Sequence, residues 1–283
     1  MGAARTCWGI YREPAHSPGR VDDDRAILES VGAALTARGL NVELIAPDAE
    51  FDTDFANIFV MCERGPILDR LKNAEKTGSI VVNSPNAIRN TYRHRMVELF
   101  ARHGVCTPAS RIIASDANTP QPPTAVWVKR YDFHATEAHD VMYAASEKGW
   151  QEALHGFAER GIPYVVAQAH VPGDLVKFYG VRNAVAPVDA NWFEWFYHRD
   201  KAMLGYSFEV SRLRRAAFGA AAALGLEIFG GDAIIQANGE PAIVDVNAWP
   251  SYARFRDRAA HAIADLLTAR FQRRPRVVAT TRS

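Results

Sequence analysis

The feature that most restricts this chain is Gly231-Asp232-Ala-Ile-Ile-Gln-Ala-Asn238-Gly239-Glu-Pro-Ala-Ile-Val-Asp245-Val-Asn247, two apolar runs on either side of Asn-Gly. Asn-Gly favours a two-residue hairpin turn, because both of its residues tolerate the positive φ that such a turn demands. A turn at Asn238-Gly239 pairs positions whose numbers sum to 477 and sets Asp232 directly opposite Asp245. Asn247 then shares the face of Asp245, since side chains alternate along a strand. Opposed residues hold their Cβ atoms about 4.5–5.5 Å apart, close enough for two carboxylates to repel. A hard cation with oxygen ligands reverses that cost, and magnesium typically keeps positions open for water and nucleotide phosphates. A solvated acidic hairpin face is the alternative, because short acidic patterns are common. The metal reading makes a nucleotide-dependent reaction the leading expectation.

A chain of 283 residues, 48% of them hydrophobic, suffices for about two domains with substantial cores. Its net charge of +1 supplies no electrostatic reason for a nucleic-acid partner, and none is expected. No run of about eighteen apolar residues suggests a membrane span. The N-terminus turns polar too early for a secretory signal, and the scattered Cys7, Cys62 and Cys106 suit reduced thiols. A cytoplasmic location follows as an expectation, with the cysteines as small buried apolar residues.

Strand-like and helix-like segments alternate over the first ninety residues. Strands are expected at 6–11, 41–45, 57–62 and 79–82, and helices at 23–38 and 66–76, the first carrying the stripe Ile27, Leu28, Val31, Ala34 and Leu35. That alternation implies a parallel α/β domain. Beyond it the pattern predicts helices at 87–103, 148–160, 211–226 and 254–270, strands at 125–130 and 164–170, and a frayed tail to Ser283.

These elements, in this order, resemble the ATP-grasp superfamily. The likeness runs through Asn83-Ser-Pro-Asn-Ala-Ile-Arg-Asn, Trp127-Val-Lys129, Gln168-Ala-His-Val-Pro-Gly-Asp174-Leu-Val-Lys177, Leu224-Gly-Leu-Glu-Ile-Phe-Gly-Gly-Asp232 and Val244-Asp245-Val-Asn247-Ala-Trp-Pro250. It is greatest to the branch of glutathione synthetases and ribosomal-protein glutamate ligases. Asp-Val-Asn-Ala-Trp-Pro-Ser-Tyr also resembles the inositol polyphosphate kinases. The fold implied is α/β, with α+β character in the C-terminal part. An N-terminal parallel domain at 1–86 would precede the two ATP-grasp subdomains, 87–168 and 169–283, the latter with the metal site.

Residue by residue, the resemblance implies that ATP binds here with two Mg2+ ions, for which Mn2+ is a substitute, held by Asp232, Asp245 and Asn247. Lys129 would contact the phosphates, although a strand-end lysine reaching solvent is the local alternative. Arg95 stands where many relatives carry a lysine, although Arg89, Arg93 and Arg95 also suit a solvated basic face. Gln168, Ala169, His170 and Val171 match the hinge strand whose backbone grips adenine. Asp174 matches the ribose-binding acid, or else closes the Pro172-Gly173 turn. Lys177, with Arg182 as a second cation, would face the transferred phosphoryl group, although Arg182 also suits an exposed strand end.

Two departures stand out. Relatives commonly cover the phosphates with a glycine-rich loop, whereas this chain reads Lys129-Arg-Tyr-Asp-Phe-His134-Ala-Thr136. His134 and Thr136 are therefore expected to replace backbone contacts with side chains, or to be ordinary loop residues. The aromatic run at 192–197 matches no defined substrate pocket and is expected to serve packing or an interface. The acceptor is expected between the N-terminal domain and the nucleotide, near His16-Ser-Pro-Gly-Arg20 and near Ser251, Tyr252 and Arg254, with Arg20 alternatively an exposed turn residue.

Three functions fit. The first is a carboxylate–amine ligase acting through an acyl phosphate on small carboxylates and amines, a chemistry that needs no protein nucleophile. A small-molecule kinase would use the same nucleotide site, and a non-catalytic nucleotide-binding protein is the third. Homo-oligomerisation is left open.

Overall fold

The computed structural model describes residues 6–272 except 118, 133, 183–189 and 199–201; the tail expected to fray lies outside them. Three four-stranded sheets carry the architecture. The first is all parallel in the order β2-β1-β3-β4, formed by β1 (Thr6–Ile10), β2 (Asn41–Ile45), β3 (Asn57–Val60) and β4 (Ile80–Val82). Its crossovers are α1 (Val21–Thr36) and α2 (Gly65–Lys76). The apolar stripe of α1 is buried as its periodicity demands, and three aspartates in its first turn meet the positive end of the helix dipole.

The expected helix at 87–103 is instead two, α3 (Pro85–Asn90) and α4 (Arg93–His103). Thr91 ends the first with its amide bonded to the Ile88 carbonyl, and Tyr92 takes an extended ψ of 128° as the cap of the second. Gly104, at φ 65°, stops α4 where the sequence places the stop. Asn83 clamps this junction to the start of a distant strand, accepting from the Glu227 and Ile228 amides and donating to the Ile228 carbonyl at 2.7 Å.

The second sheet is antiparallel in the order β5-β8-β6-β7 and comprises β5 (Ser110–Ala114), β6 (Val126–Arg130), β7 (Val141–Ala144) and β8 (Tyr164–Ala169). One face of it, with Val126, Val128, Val165 and Ala167, packs on α5 (Glu147–Glu159) through Trp150, Leu154 and Phe157. The third is antiparallel in the order β10-β9-β11-β12, with β9 (Asp174–Val181), β10 (Trp192–Tyr197), β11 (Ile228–Ile235) and β12 (Pro241–Ala248). α6 (Val210–Leu224) covers its apolar side, and α7 (Arg256–Gln272) packs beside α1. The aromatic run at 192–197 is therefore an edge strand. Phe193 enters the core, whereas Phe196 turns towards a cavity.

Cys7 and Cys62 are buried as expected, but Cys106 is exposed. No helix among the described residues is long and apolar enough to cross a membrane.

Candidate active site

The hairpin sets Asp232 opposite Asp245, although by a different route from the one the turn dipeptide suggests. Pairs nearest the turn, such as Ile235 with Pro241, sum to 476, so the loop is one residue longer, with Gly239 at φ 76°. A bulge beside Asp232 absorbs the extra residue and restores the register. Three strands then present one row, Lys177–Asp232–Asp245, and a second row, Tyr179–Gly230–Asn247, lies one step along the same face. Glycine is required at 230, because a Cβ there would lie 2.7 Å from both Tyr179 and Pro250.

This face and the Lys129-bearing face of the second sheet enclose a cavity of about 760 Å3, closed at one end by the segments after β1. Asp232, Asp245 and Asn247 all line it. Lys177 Nζ donates to Asp232 at 3.1 Å, and Arg93 stands 3.9 Å from Asp245. Lys129 is 6% exposed and donates to Gln168 Oε1 at 2.7 Å. Burial, seconded by the Arg93 charge, pushes its ammonium down to about 8 against the pull of Asp245 and Asp232. Burial is the largest influence on the Lys177 ammonium and opposes it too, but Asp232, Tyr179 and Asp245 together raise its pKa. Two carboxylates and a carboxamide form an all-oxygen donor set on one face, the ligand chemistry that a hard divalent ion takes.

Several expected residues lie elsewhere. Arg95 is exposed and away from the cavity; the helix break puts Arg93, the first residue of α4, in its place. Asp174 is fully buried and accepts from the Leu204 and Tyr206 amides, so its carboxylate fastens the 204–206 segment rather than a ribose. Tyr252 is buried, with its hydroxyl donated to the Phe229 and Gly180 carbonyls, and has no access to a substrate. Arg182 does not line the cavity; its amide continues the pairing of β9 with Glu227. On the hinge segment, the Ala169 and His170 amides already bond the Ala109 and Ala125 carbonyls, and His170 accepts from the Trp127 indole. Val171 follows them, half-buried. Ser251 and Arg20 do line the cavity.

The loop expected to cover the phosphates is fastened at both ends. Thr136 gives its hydroxyl and amide to the buried Asp140, which also accepts from the Glu137 amide. His134 crosses to the segment after β3, with Nδ1 2.9 Å from Glu63. Burial alone would depress this imidazole, but Glu63 outweighs it and raises the pKa above the ordinary value. Neither side chain is free for the contacts expected of it.

Arg12 was not anticipated at all. Its guanidinium pairs with Glu63 and with Asp24 at 3.2 Å, and donates to the Ala248 and Trp249 carbonyls just past Asn247. His16, Glu63 and His134 are close enough to hold a metal ion, but Arg12 already lies against that carboxylate, and a second cation would stand beside a guanidinium. Glu63, Arg12 and Asp24 are too far apart in sequence for any local pattern to join them.

No protein-family model matches the chain, and no curated protein matches it by sequence. Solved structures do match over nearly its whole length. D-alanyl-alanine synthetase A from Vibrio cholerae superposes with a TM-score of 0.68 at 10% identity, covering 96% of this chain and 99% of that one. An ATP-grasp RimK domain protein from Sphaerobacter thermophilus gives 0.63 at 16%, covering 93% and 99%. An L-amino acid ligase from Bacillus licheniformis gives 0.63 at 12%, covering 94% and 75%. The architecture of this chain, from its parallel N-terminal sheet through the two antiparallel sheets facing one cavity, is the ATP-grasp fold.

Proposed function

We propose that the protein is an ATP-dependent carboxylate–amine ligase. The observation that carries this reading is the row Lys177–Asp232–Asp245, facing the buried Lys129 and Arg93 within one cavity. The ligases that share the fold support the same class of reaction, and no feature of the cavity favours the kinase reading over it.

A substrate carboxylate oxygen attacks the γ-phosphorus of ATP, the bond to ADP breaks, and an acyl phosphate forms. An amine then attacks the acyl carbon; the C–N bond forms, phosphate leaves with the C–O bonding pair, and the ammonium proton passes to phosphate or solvent. Asp232, Asp245 and Asn247 would hold magnesium, which would supply neutralising charge to the nucleotide's phosphates. Lys129, Arg93 and Lys177 place fixed positive charge where negative charge builds. Lys129, with its pKa near 8, is still mostly cationic at neutral pH. The loop fastened through His134 and Asp140 shields the acyl phosphate from water. No protein nucleophile is needed.

Hydroxylamine tests this reading. With MgATP and a pool of carboxylic acids, a ligase yields a hydroxamate and ADP. A stable phosphomonoester with no hydroxamate would contradict it.

A further inference from the structure

His134 stands where two walls of the cavity meet. It lines the cavity with Ala135 from the segment after β6, and Arg12, His16 and Ser17 line it from the segment after β1. Among the described residues, the hydrogen bonds and ion pairs from 134–140 to the segments after β1 and β3 run through this imidazole. Its Nδ1 lies 2.9 Å from Glu63 Oε2, and its Nε2 lies 3.3 Å from the His16 carbonyl oxygen. The other anchors of 134–140 stay on the side of the second sheet, where Thr136 and Glu137 donate to Asp140 and Arg160 pairs with Glu137 and Asp140.

A carbonyl oxygen accepts and cannot donate, and the same holds for an ionised carboxylate. Both ring nitrogens therefore face acceptors. Neutral imidazole carries one N–H and can serve one of them, whereas the imidazolium serves both. Giving the proton to solvent sets a nitrogen lone pair against an oxygen lone pair and removes the charge that Glu63 attracts. Burial works against the charged ring, but Glu63 outweighs it and lifts the pKa above the ordinary value, even with Arg12 nearby.

The far side of the contact is fixed by other partners. Arg12 lies against Glu63 Oε1 and is itself paired with Asp24 at 3.2 Å. Glu13 accepts from the Glu63 and Arg64 amides and pairs with the Arg64 guanidinium, and the Tyr92 hydroxyl donates to the Glu63 carbonyl. The remaining titratable neighbour is the His16 ring, edge-on to His134 at 5.8 Å between centres and with Nδ1 3.8 Å from the same Glu63 oxygen. A neutral His134 thus faces a Glu63 that is still held in place.

We propose that His134 is a proton-dependent clasp on the cavity: charged, it ties the segment after β6 to the segments after β1 and β3, and on losing its proton it lets the two walls part, so that a guest enters and leaves faster as pH rises. That the guest is a nucleotide rests on the ligase reading; the clasp itself does not.

Two measurements on the full chain test it. In the nucleotide-free protein, NMR of labelled histidine side chains follows the His134 ring with pH, while 15N relaxation follows the Ala135 amide. Ala135 passes from rigid to mobile at the midpoint of the His134 ring, and in His134→Leu it is mobile at pH 6 and pH 9 alike. In stopped flow, N-methylanthraniloyl ATP with magnesium associates about fivefold or more faster at pH 9 than at pH 6 with the wild type, and at the fast rate at both pH values with His134→Leu. Loss of the Lys129 charge over the same range weakens the pull on an anion and cannot quicken its association. Equal Ala135 relaxation in the wild type at pH 6 and pH 9 would overturn the clasp, and that titration needs no variant to fold. The same pH response in His134→Leu as in the wild type would overturn it too, as would an association rate that ignores pH while Ala135 loosens. A titrating Ala135 in protein that binds no MgATP analogue at either pH would support the clasp and overturn the nucleotide reading instead.

Discussion

At the end of the cavity proposed to hold the phosphates, Lys177, Asp232, Asp245 and Lys129 stand on strands and Arg93 on the first turn of a helix, and most have a counter-charge built against them. At the other end of the cavity, Arg20 and Arg254 lie on connecting segments, and Phe196 on an edge strand. The first arrangement is held by register: moving Asp232 away from Asp245 would require the sheet to slip. The second depends on how three separate segments meet and can change without disturbing the sheet. Under the proposed function, a phosphate end held by register beside an adaptable acceptor end would let one fold serve different substrates.

The largest effect expected from breaking this contrast is at Lys129. Lys129→Gln should lower kcat/KM for ATP by about a hundredfold, while adenosine binding, followed by calorimetry, stays unchanged. Because burial pushes the wild-type ammonium down to about 8, its charge is present below that pH and lost above it. Wild-type kcat/KM for ATP should therefore fall as pH rises through about 8, and the variant should lack that limb. Stability moves in the other direction. Between the folded pKa of about 8 and the unfolded value, the unfolded chain holds the extra proton, so this residue's contribution becomes more favourable as pH rises.

Arg93 and Arg95 sharpen the comparison on one helix. Arg93→Ala should raise KM for ATP by about tenfold, since it removes a buried charge beside Asp245. Arg95→Ala should leave KM unchanged, and thermal unfolding should show a stability change within about 0.5 kcal/mol.

A smaller effect is expected where the loop after β6 meets the segment after β3. A double-mutant cycle of His134→Gln and Glu63→Gln should give a coupling of about 1–3 kcal/mol at pH 6. Glu63 holds the imidazolium above its ordinary pKa, so the coupling is complete at low pH and disappears as pH rises through that raised value. Equal coupling at pH 6 and pH 9 would show that the contact does not depend on the charge of His134.

Strand pairs and helix periods were the parts legible in the sequence, because they follow from local alternation. The opposed aspartates emerged from one dipeptide, even though the loop is a residue longer and a bulge makes up the difference. Arg95 stands where relatives carry a lysine, but the break between α3 and α4 at Thr91 and Tyr92 turns Arg93 to the cavity instead. Asp174 was read as facing a ribose, but the backbone amides that claim it are about thirty residues away. Tyr252 adopts a φ of 50°, unusual for tyrosine, which turns it into the core. The knot of Arg12, Asp24, Glu63 and His134 joins four segments through pairings that no sequence period encodes.

The central claim is that Asp232 and Asp245 are opposed in order to hold metal against nucleotide phosphates. Calorimetric titration of ATP into the wild type and Asp245→Asn, each with magnesium and with EDTA, tests it most directly. The account predicts tight binding only for wild type with magnesium, and loss of that magnesium-dependent part in the variant while its unfolding temperature is retained. Equal ATP affinity with and without magnesium, or an unchanged magnesium effect in Asp245→Asn, would contradict it.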